Sequence, residues 1–319
     1  MKLNKADRAN TRPTEENGWT FHPTSLEGYL RCPRKFYISS MLSLLSRTAR
    51  VDLDFGNGFH AGVGMFYTVR SLEPEEALAT CFEEQDTINL ELEPKDTAFH
   101  LAKLASCKIF EQEWVKTGLR GSDKKNLQTG LLAMSKYCDT YRHDIHSYKP
   151  ELIECTQRLK MPNGTTLEAT LDRVNWSNDY ICAVDSKTTG SALTDWYWKN
   201  FENSFQLGAG DHIISSICGH CDGVQIDAIK MPWSKPTDKT TPFQRRSWTL
   251  TDMQRDDWLN TYCEATSEIV ANLQLPEAEQ VKKFKTHGTA CSDYGGCKYL
   301  PLCKHGFNHP SLSVDFIKE

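Results

Sequence analysis

The run from Thr166 to Lys187 narrows the possible folds of this chain more than any other stretch. Two segments rich in apolar and β-branched residues, Thr166 to Trp176 and Tyr180 to Lys187, flank Ser177-Asn178-Asp179. That triplet is turn chemistry, so the run predicts a β-hairpin. With the turn centred between Asn178 and Asp179, Asp172 falls directly opposite Asp185. Opposed residues share a face, with Cβ atoms about 5 Å apart. Lys187 points to the same face as Asp185, and Ser186 points away. Two acids and an ammonium therefore crowd one side of the hairpin. Close carboxylates repel unless a cation lies between them, and a hard divalent ion with oxygen ligands is the natural occupant. An Asp-x-Lys triplet is common on solvated strand faces. Here the strand entering Asp185 (Ile181, Cys182, Ala183, Val184) is apolar enough to be buried on both faces, so its acid is more than a surface charge.

Leu152 to Met161 reads as a strand before this hairpin, closed by the strong turn signal Pro162-Asn163-Gly164. Gly223 to Met231 reads as another strand. Thr24 and Glu27 stand at capping-box spacing after Pro23 and predict a helix start. A second helix is expected over 57–70, apolar at Phe59, Val63 and Phe66, then a helical lobe over about 71–148. Further helices are expected over 193–218 and 251–273, with a polar loop at 234–246. The expected fold class is α/β, a mixed central β-sheet flanked by helices. Its sheet core spans about 150–232 within a single domain 21–305, between a flexible arm (1–20) and a loose tail (306–319).

The net charge of −5 and pI near 6.1 exclude a global electrostatic grip on nucleic acid; any such partner must use a local basic groove. No window approaches 18 consecutive apolar residues, and the basic start has no apolar stretch behind it, so neither a membrane span nor a secretory signal is expected. The expected location is the cytoplasm. There is no phosphate-cradling G-x-x-x-x-G-K-[ST] loop.

Twelve cysteines without a secretion signal point to reduced thiols and metal ligation. Cys81, Cys107, Cys138, Cys155 and Cys182 lie in helical or strand patterns and read as small core residues. Cys291, Cys297 and Cys303, with glycines and a proline between them, can fold back around a metal centre. Zinc and iron–sulfur centres alike usually take four ligands. Cys32, flanked by bases and followed by Pro33, is the best fourth candidate. His287, His305 and the Cys218/Cys221 pair are alternatives, and spacing alone leaves zinc and iron–sulfur both open.

Together these residues resemble the RecB-type nucleases of the PD-(D/E)XK superfamily, in particular those with an iron–sulfur clasp. Tyr29-Leu30-x-Cys32-Pro33-Arg34-Lys35-Phe36-Tyr37 is similar to the N-terminal cluster motif, and Gly56-Asn57-Gly58-Phe59-His60 to the glycine–histidine helix. Leu171-Asp172-Arg173 resembles G-x-x-D-R, Val184-Asp185-Ser186-Lys187-Thr188-Thr189-Gly190 resembles D-x-K-T-G, and Gln206-Leu207 opens the glutamine helix. Ala169 replaces the expected glycine and Gly210 the expected tyrosine.

The resemblance implies a restriction-endonuclease-like core and a Mg²⁺- or Mn²⁺-dependent DNA nuclease, an exonuclease acting on ends or single strands. It implies Asp172, Asp185, the Ser186 carbonyl and His60 as metal ligands, Lys187 and Gln206 as catalytic groups, and a [4Fe–4S] cluster on Cys32, Cys291, Cys297 and Cys303, the cluster segments being 29–37 and 291–303. It also fits stand-alone phage versions serving recombination or repair, paired with a separate helicase or recombination protein. The rivals are an endonuclease of the same fold and a non-catalytic DNA-binding scaffold. Strand pairing through the Asn163-Gly164 turn sets Glu154 beside Arg173 and away from Asp172, which leaves Glu154 outside the expected site. The basic candidates for DNA contact are Arg31, Arg34, Lys35, Arg173, Arg245, Arg246 and Lys282-Lys283-Phe284-Lys285, with Trp196, Tyr197 and Trp198 as candidates for stacking on bases.

Overall fold

The computed structural model describes residues 18–46, 51–72, 76, 94–118, 121–122, 125–144, 149–177, 180–231, 242–292, 296–307 and 316–318. The expected arm up to residue 17, the turn residues Asn178 and Asp179, and Cys81 lie outside the described residues. In chain order come β1 (Thr20–Phe21), α1 (Pro23–Arg31), α2 (Pro33–Phe36), β2 (Leu44–Ser46), α3 (Val51–Arg70), α4 (Pro94–Lys116) and α5 (Leu127–Thr140). Next are β3 (Lys149–Lys160), β4 (Thr166–Ser177), β5 (Tyr180–Thr189), α6 (Asp195–Lys199), α7 (Phe205–Cys218), β6 (Gly223–Lys230) and β7 (Phe243–Trp248). Last are α8 (Asp252–Leu273), α9 (Glu277–Lys283), α10 (Leu300–His305) and β8 (Phe316–Lys318). The fold is mixed α/β. No helix among the described residues is long and apolar enough to cross a membrane.

The chain divides into two compact units, the first made of Met1–Lys2, Ala49–Cys155 and Thr170–Leu250, the second of Leu3–Thr48, Thr156–Ala169 and Thr251–Glu319. In the first unit β4 and β5 pair antiparallel, β5 and β6 parallel, and β6 and β7 antiparallel. The sheet is mixed because α7 returns the chain to lay β6 parallel alongside β5, while β4–β5 and β6–β7 are antiparallel neighbours. Helices α3, α4 and α5 cover it. The spacing of Phe55, Phe59, Val63 and Phe66 aligns them on one stripe of α3, and this stripe is buried with Phe99, Phe110, Met134 and Tyr137.

Two expectations fail here for physical reasons. The helix expected over 193–218 breaks into α6 and α7, because Asn200 turns its amide onto the carbonyls of Trp196 and Tyr197 and Ser204 caps a new helix. Of the polar loop expected at 234–246, residues 234–241 lie outside the described residues and 243–246 belong to β7, whose two central arginines disguise it. Arg245 is not solvated; it reaches a carboxylate beneath the sheet.

That carboxylate is Asp227 on β6, fully buried. It accepts from Arg173 Nη2 (2.6 Å) and the Tyr137 hydroxyl (2.5 Å), and pairs with Arg245 Nη2 at 3.1 Å. Arg245 also pairs with Asp144, which accepts from the Tyr67 hydroxyl. Burial alone would raise the Asp227 carboxyl, but the two guanidiniums outweigh it and hold its pKa below the usual carboxylate value. Arg173 and Arg245 are therefore internal ties, not the DNA contacts their charge advertises. Asp227→Asn is expected to destabilise the fold by about 3–5 kcal/mol, since it strands the buried Arg173 guanidinium and leaves Arg245 with Asp144 alone. Because the folded pKa is depressed, wild type should hold this stabilisation above about pH 4 and lose it as the pH falls further, whereas the variant should lack that slope. Urea unfolding at several pH values reads both.

In the second unit β1 pairs parallel with the start of β4. The Met161–Thr165 turn forms at Asn163-Gly164, with Gly164 at φ 83°, as its hairpin signal requires. Helix α1 begins two residues earlier than the capping-box reading has it. Its N-cap is His22 without a side-chain cap, because Pro23 has no N–H to satisfy and supplies a helical φ at the first position. The tail expected to be loose contributes β8, antiparallel to β2, and Phe316 packs with Ile38, Leu44, Tyr299 and Leu302.

Candidate metal centre

The register of β4 on β5 runs from Ser177 opposite Tyr180 to Arg173 opposite Val184, and its next step sets Asp172 beside Asp185. The pleat sends Arg173 down to Asp227 and Asp172 to the other face. Asp172 Oδ2 accepts from the Ser186 backbone N–H at 2.7 Å. The Ser186 hydroxyl, fully buried, accepts from Arg173 Nη1 at 3.3 Å. Asp185 Oδ2 pairs with Lys187 Nζ at 2.7 Å, and Asp185 Oδ1 accepts from Gln206 Nε2 at 2.8 Å. Lys187 Nζ in turn donates to Gln206 Oε1 at 2.9 Å, so the first residue-pair of α7 closes a ring of side chains with β5.

Helix α3 delivers His60 from the flank of its apolar stripe, and His60 Nδ1 stands 3.2 Å from Asp172 Oδ2. A third donor completes this corner. Glu154, His60 and Asp172 each offer a ligand atom, all within 4.8 Å of one another. Simple alternation places Glu154 on the far face, and the backbone corrects that reading. Glu154 has φ 49°, a left-handed conformation rare for a residue with a Cβ, and it breaks the alternation of β3. Its side chain then crosses over Gly64 of α3, where a Cβ would lie only 3.0 Å from Glu154 Cγ. No hydropathy pattern announces a left-handed glutamate, so nothing in the sequence distinguishes Glu154 from other strand acids.

The electrostatics of the two aspartates diverge. Burial would raise Asp172, but the His60 imidazolium, Lys187 and the Ser186 N–H together bring it down to about 2. Burial and the neighbouring Asp172 charge push Asp185 above its ordinary value despite Lys187. Burial would lower His60, and the Asp172 carboxylate more than reverses it. These are the marks of a site with more anionic donors than cations to match them. One imidazole and clustered carboxylates fit a hard divalent ion, with the nitrogen favouring Mn²⁺ over Mg²⁺.

The position expected to carry a tyrosine is Gly210, and a Cβ there would meet the Ala183 methyl at 3.4 Å. Of the three consecutive aromatics, Tyr197 and Trp198 are buried and Trp196 is exposed. Arg34 is occupied, donating to the Val281 and Phe284 carbonyls.

The second unit holds the four cysteines of the expected cluster, but among the described residues the group whose ligand atoms all lie within 4.8 Å of one another is His60, Glu154 and Asp172, not the cysteines. Cys32 caps the end of α1, Cys291 closes a short turn from Gly288, the Cys297 N–H donates to the Cys291 carbonyl at 2.8 Å, and Cys303 lies on α10. Burial raises the Cys303 thiol, Arg34 opposes it, and Cys297, Cys32 and Cys291 add to it. His287 Nδ1 is engaged 3.1 Å from the Arg31 carbonyl. The Cys221 thiol donates to the Gly223 carbonyl at 3.1 Å, a packing role.

The family model described as the PD-(D/E)XK nuclease superfamily matches residues 20–304. No curated protein matches the chain. Among solved structures, the Eubacterium rectale protein named "Putative exonuclease" is similar at 12% identity and a TM-score of 0.38, over 63% of this chain and 74% of that one. The protein SSO0001 is similar at 12% identity and a TM-score of 0.31, over 82% of this chain and 79% of that one. Likenesses this distant say nothing of activity.

Gly64→Ala is expected to push the Glu154 carboxylate out of the trio and weaken Mn²⁺ binding about tenfold or more, a change of the size seen when ligand supports are removed. Titrating Mn²⁺ and reading the free ion by electron paramagnetic resonance checks this, with unchanged circular dichroism as the control.

Proposed function

Because the chain belongs to the PD-(D/E)XK nuclease superfamily, we propose that it is a divalent-metal-dependent DNA exonuclease acting on ends or single strands. The observation that carries this reading is the convergence of His60, Glu154 and Asp172 beside the Asp185–Lys187–Gln206 ring. Nucleases of this superfamily typically use Mg²⁺ or Mn²⁺. His60, Glu154 and Asp172 would hold the ion, with Asp185 and the Ser186 carbonyl as neighbouring oxygens. When bound, it supplies charge relief at the scissile phosphate and acidifies a water. Lys187 is positioned to orient the attacking water or steady the phosphate as a point cation. Gln206 holds both Lys187 and Asp185, which fixes the ammonium relative to the carboxylates. The His60 imidazole must shed its proton to bind an ion, so ion binding and proton release are coupled.

The four cysteines would hold a [4Fe–4S] cluster, the donor set being four thiolates with a guanidinium nearby, and zinc is the alternative occupant. Its role is structural: Cys32 and Cys291 are 259 positions apart, and tying them removes unfolded-state freedom. A separate helicase or recombination protein would supply unwinding.

Digestion of end-labelled single- and double-stranded DNA with Mg²⁺ or Mn²⁺ tests the activity, and a closed circular substrate separates exonuclease from endonuclease. Asp185→Ala is expected to lose at least about a thousandfold in cleavage rate, in line with removal of a metal-centred charge stabiliser. Lys187→Ala should be comparably slow yet still bind Mn²⁺, since an ammonium is not a ligand. Undiminished cleavage by Asp185→Ala would sink the mechanism.

For the cluster, anaerobically purified protein should be brown with about four irons per chain. Cys32→Ala, Cys291→Ala, Cys297→Ala or Cys303→Ala should each bleach it and lower the melting temperature. Colourless protein with one equivalent of zinc would exchange the occupant and keep the ligands.

A further inference from the structure

The chain between Lys187 and Gln206 leaves the proposed catalytic lysine and comes back to it. Lys187 Nζ lies 2.9 Å from Gln206 Oε1, so both ends of the 188–205 excursion are fastened at the same ring of side chains. Compact loops whose ends meet are frequently functional. The excursion is also stiff. Trp198 packs 6.1 Å from Trp248, and Phe201 6.3 Å from the same ring. Tyr197 stands edge-on to Trp198 at 5.1 Å. With two of its three aromatics buried and Asn200 bonded back to Trp196 O and Tyr197 O, α6 has one orientation.

That orientation turns Trp196 outward. It is 73% exposed, more than any other large apolar side chain among the described residues. Single exposed apolar residues are ordinary, but an indole held rigidly on a loop clamped to a reaction centre is not. Beside it, Arg246 lies over the Trp198 ring at 5.7 Å and pairs with Asp195 at 3.3 Å. With side chains 44% and 87% exposed, that ion pair is weak and readily exchanged for another anion.

We propose that Trp196 is a stacking platform for an unpaired base of the DNA strand being cut, with Arg246 beside it for the adjoining phosphate. The proposal rests on the nuclease reading and gives it a substrate form, an unpaired end. A ring offering its flat face suits any base, because every base has a π-face, whereas the interior of a duplex offers none. Trp196 is thus a positioning residue. It holds the strand by a base so that a phosphate of the same strand is presented to the acids.

The test uses the full chain carrying Asp185→Ala, so that binding is read without cleavage. The probes are end-labelled oligothymidylate and a blunt duplex, followed by fluorescence anisotropy. Adding Trp196→Ala should weaken oligothymidylate binding by about five- to a hundredfold, the range set by stacking on one base. Trp196→Phe should recover most of it, and blunt duplex binding should change little. In otherwise wild-type protein the same Ala variant should raise KM for oligothymidylate, with a much smaller effect on kcat. Unchanged oligothymidylate affinity in Trp196→Ala, from a parent that cleaves DNA, would overturn the proposal and leave the nuclease reading intact. Equal losses on both probes would also overturn it, since an unpaired base would not then be what is recognised. A wild-type protein that neither binds nor cleaves either DNA would remove the nuclease reading and this proposal together.

Discussion

The β4 and β5 groups at the proposed reaction centre hang from one buried carboxylate on the far side of the sheet. Asp227 gathers Arg173 from β4, Arg245 from β7 and Tyr137 from α5 around itself. Arg173 follows Asp172 directly, so fixing its guanidinium below the sheet fixes the acid above it. The same guanidinium touches the Ser186 hydroxyl, and Ser186 follows Asp185 and precedes Lys187. A single polar knot thereby positions both aspartates and the lysine without touching any of them. Buried charges with this many partners are poor sources of net stability but demanding of geometry, because any slip leaves a charge unmatched.

On the upper face the problem is the reverse. Three carboxylates, from Asp172, Asp185 and Glu154, face one imidazole and one ammonium. Each aspartate takes a different cationic neighbour, Asp172 the His60 ring and Asp185 the Lys187 ammonium. Such a division is what like charges adopt when they cannot be separated. A divalent ion would relieve that crowding and free the histidine to act as a neutral ligand, so the excess of negative charge is itself a driving force for binding.

The parts legible in the sequence were those governed by local rules. Period-two alternation and turn chemistry located the β4–β5 hairpin and its register, and helical spacing located the stripe of Phe59, Val63 and Phe66 on α3. What escaped depended on partners distant in the chain. Arg245 reads as a loop residue because its charge is visible and Asp227 is not. The outer strand β8 reads as a tail because only pairing with β2 gives it a place. Glu154 escaped for a different reason: alternation is a rule about ordinary backbone, and residue 154 departs from it. The three aromatics after β5 look alike as letters, and only burial separates the two that pack from the one that does not.

Residue 154 is under two demands that no single amino acid meets well. A left-handed backbone at φ 49° favours glycine or asparagine and penalises a glutamate by about 1–2 kcal/mol. The corner it points into calls for a carboxylate. Chains that fold more firmly, with glycine at this position, would lose a donor, and chains that keep the donor retain a small permanent strain. Stability and chemistry are thus traded against each other at one backbone angle, and a search for more robust variants of this protein would tend to erode its reaction centre there first.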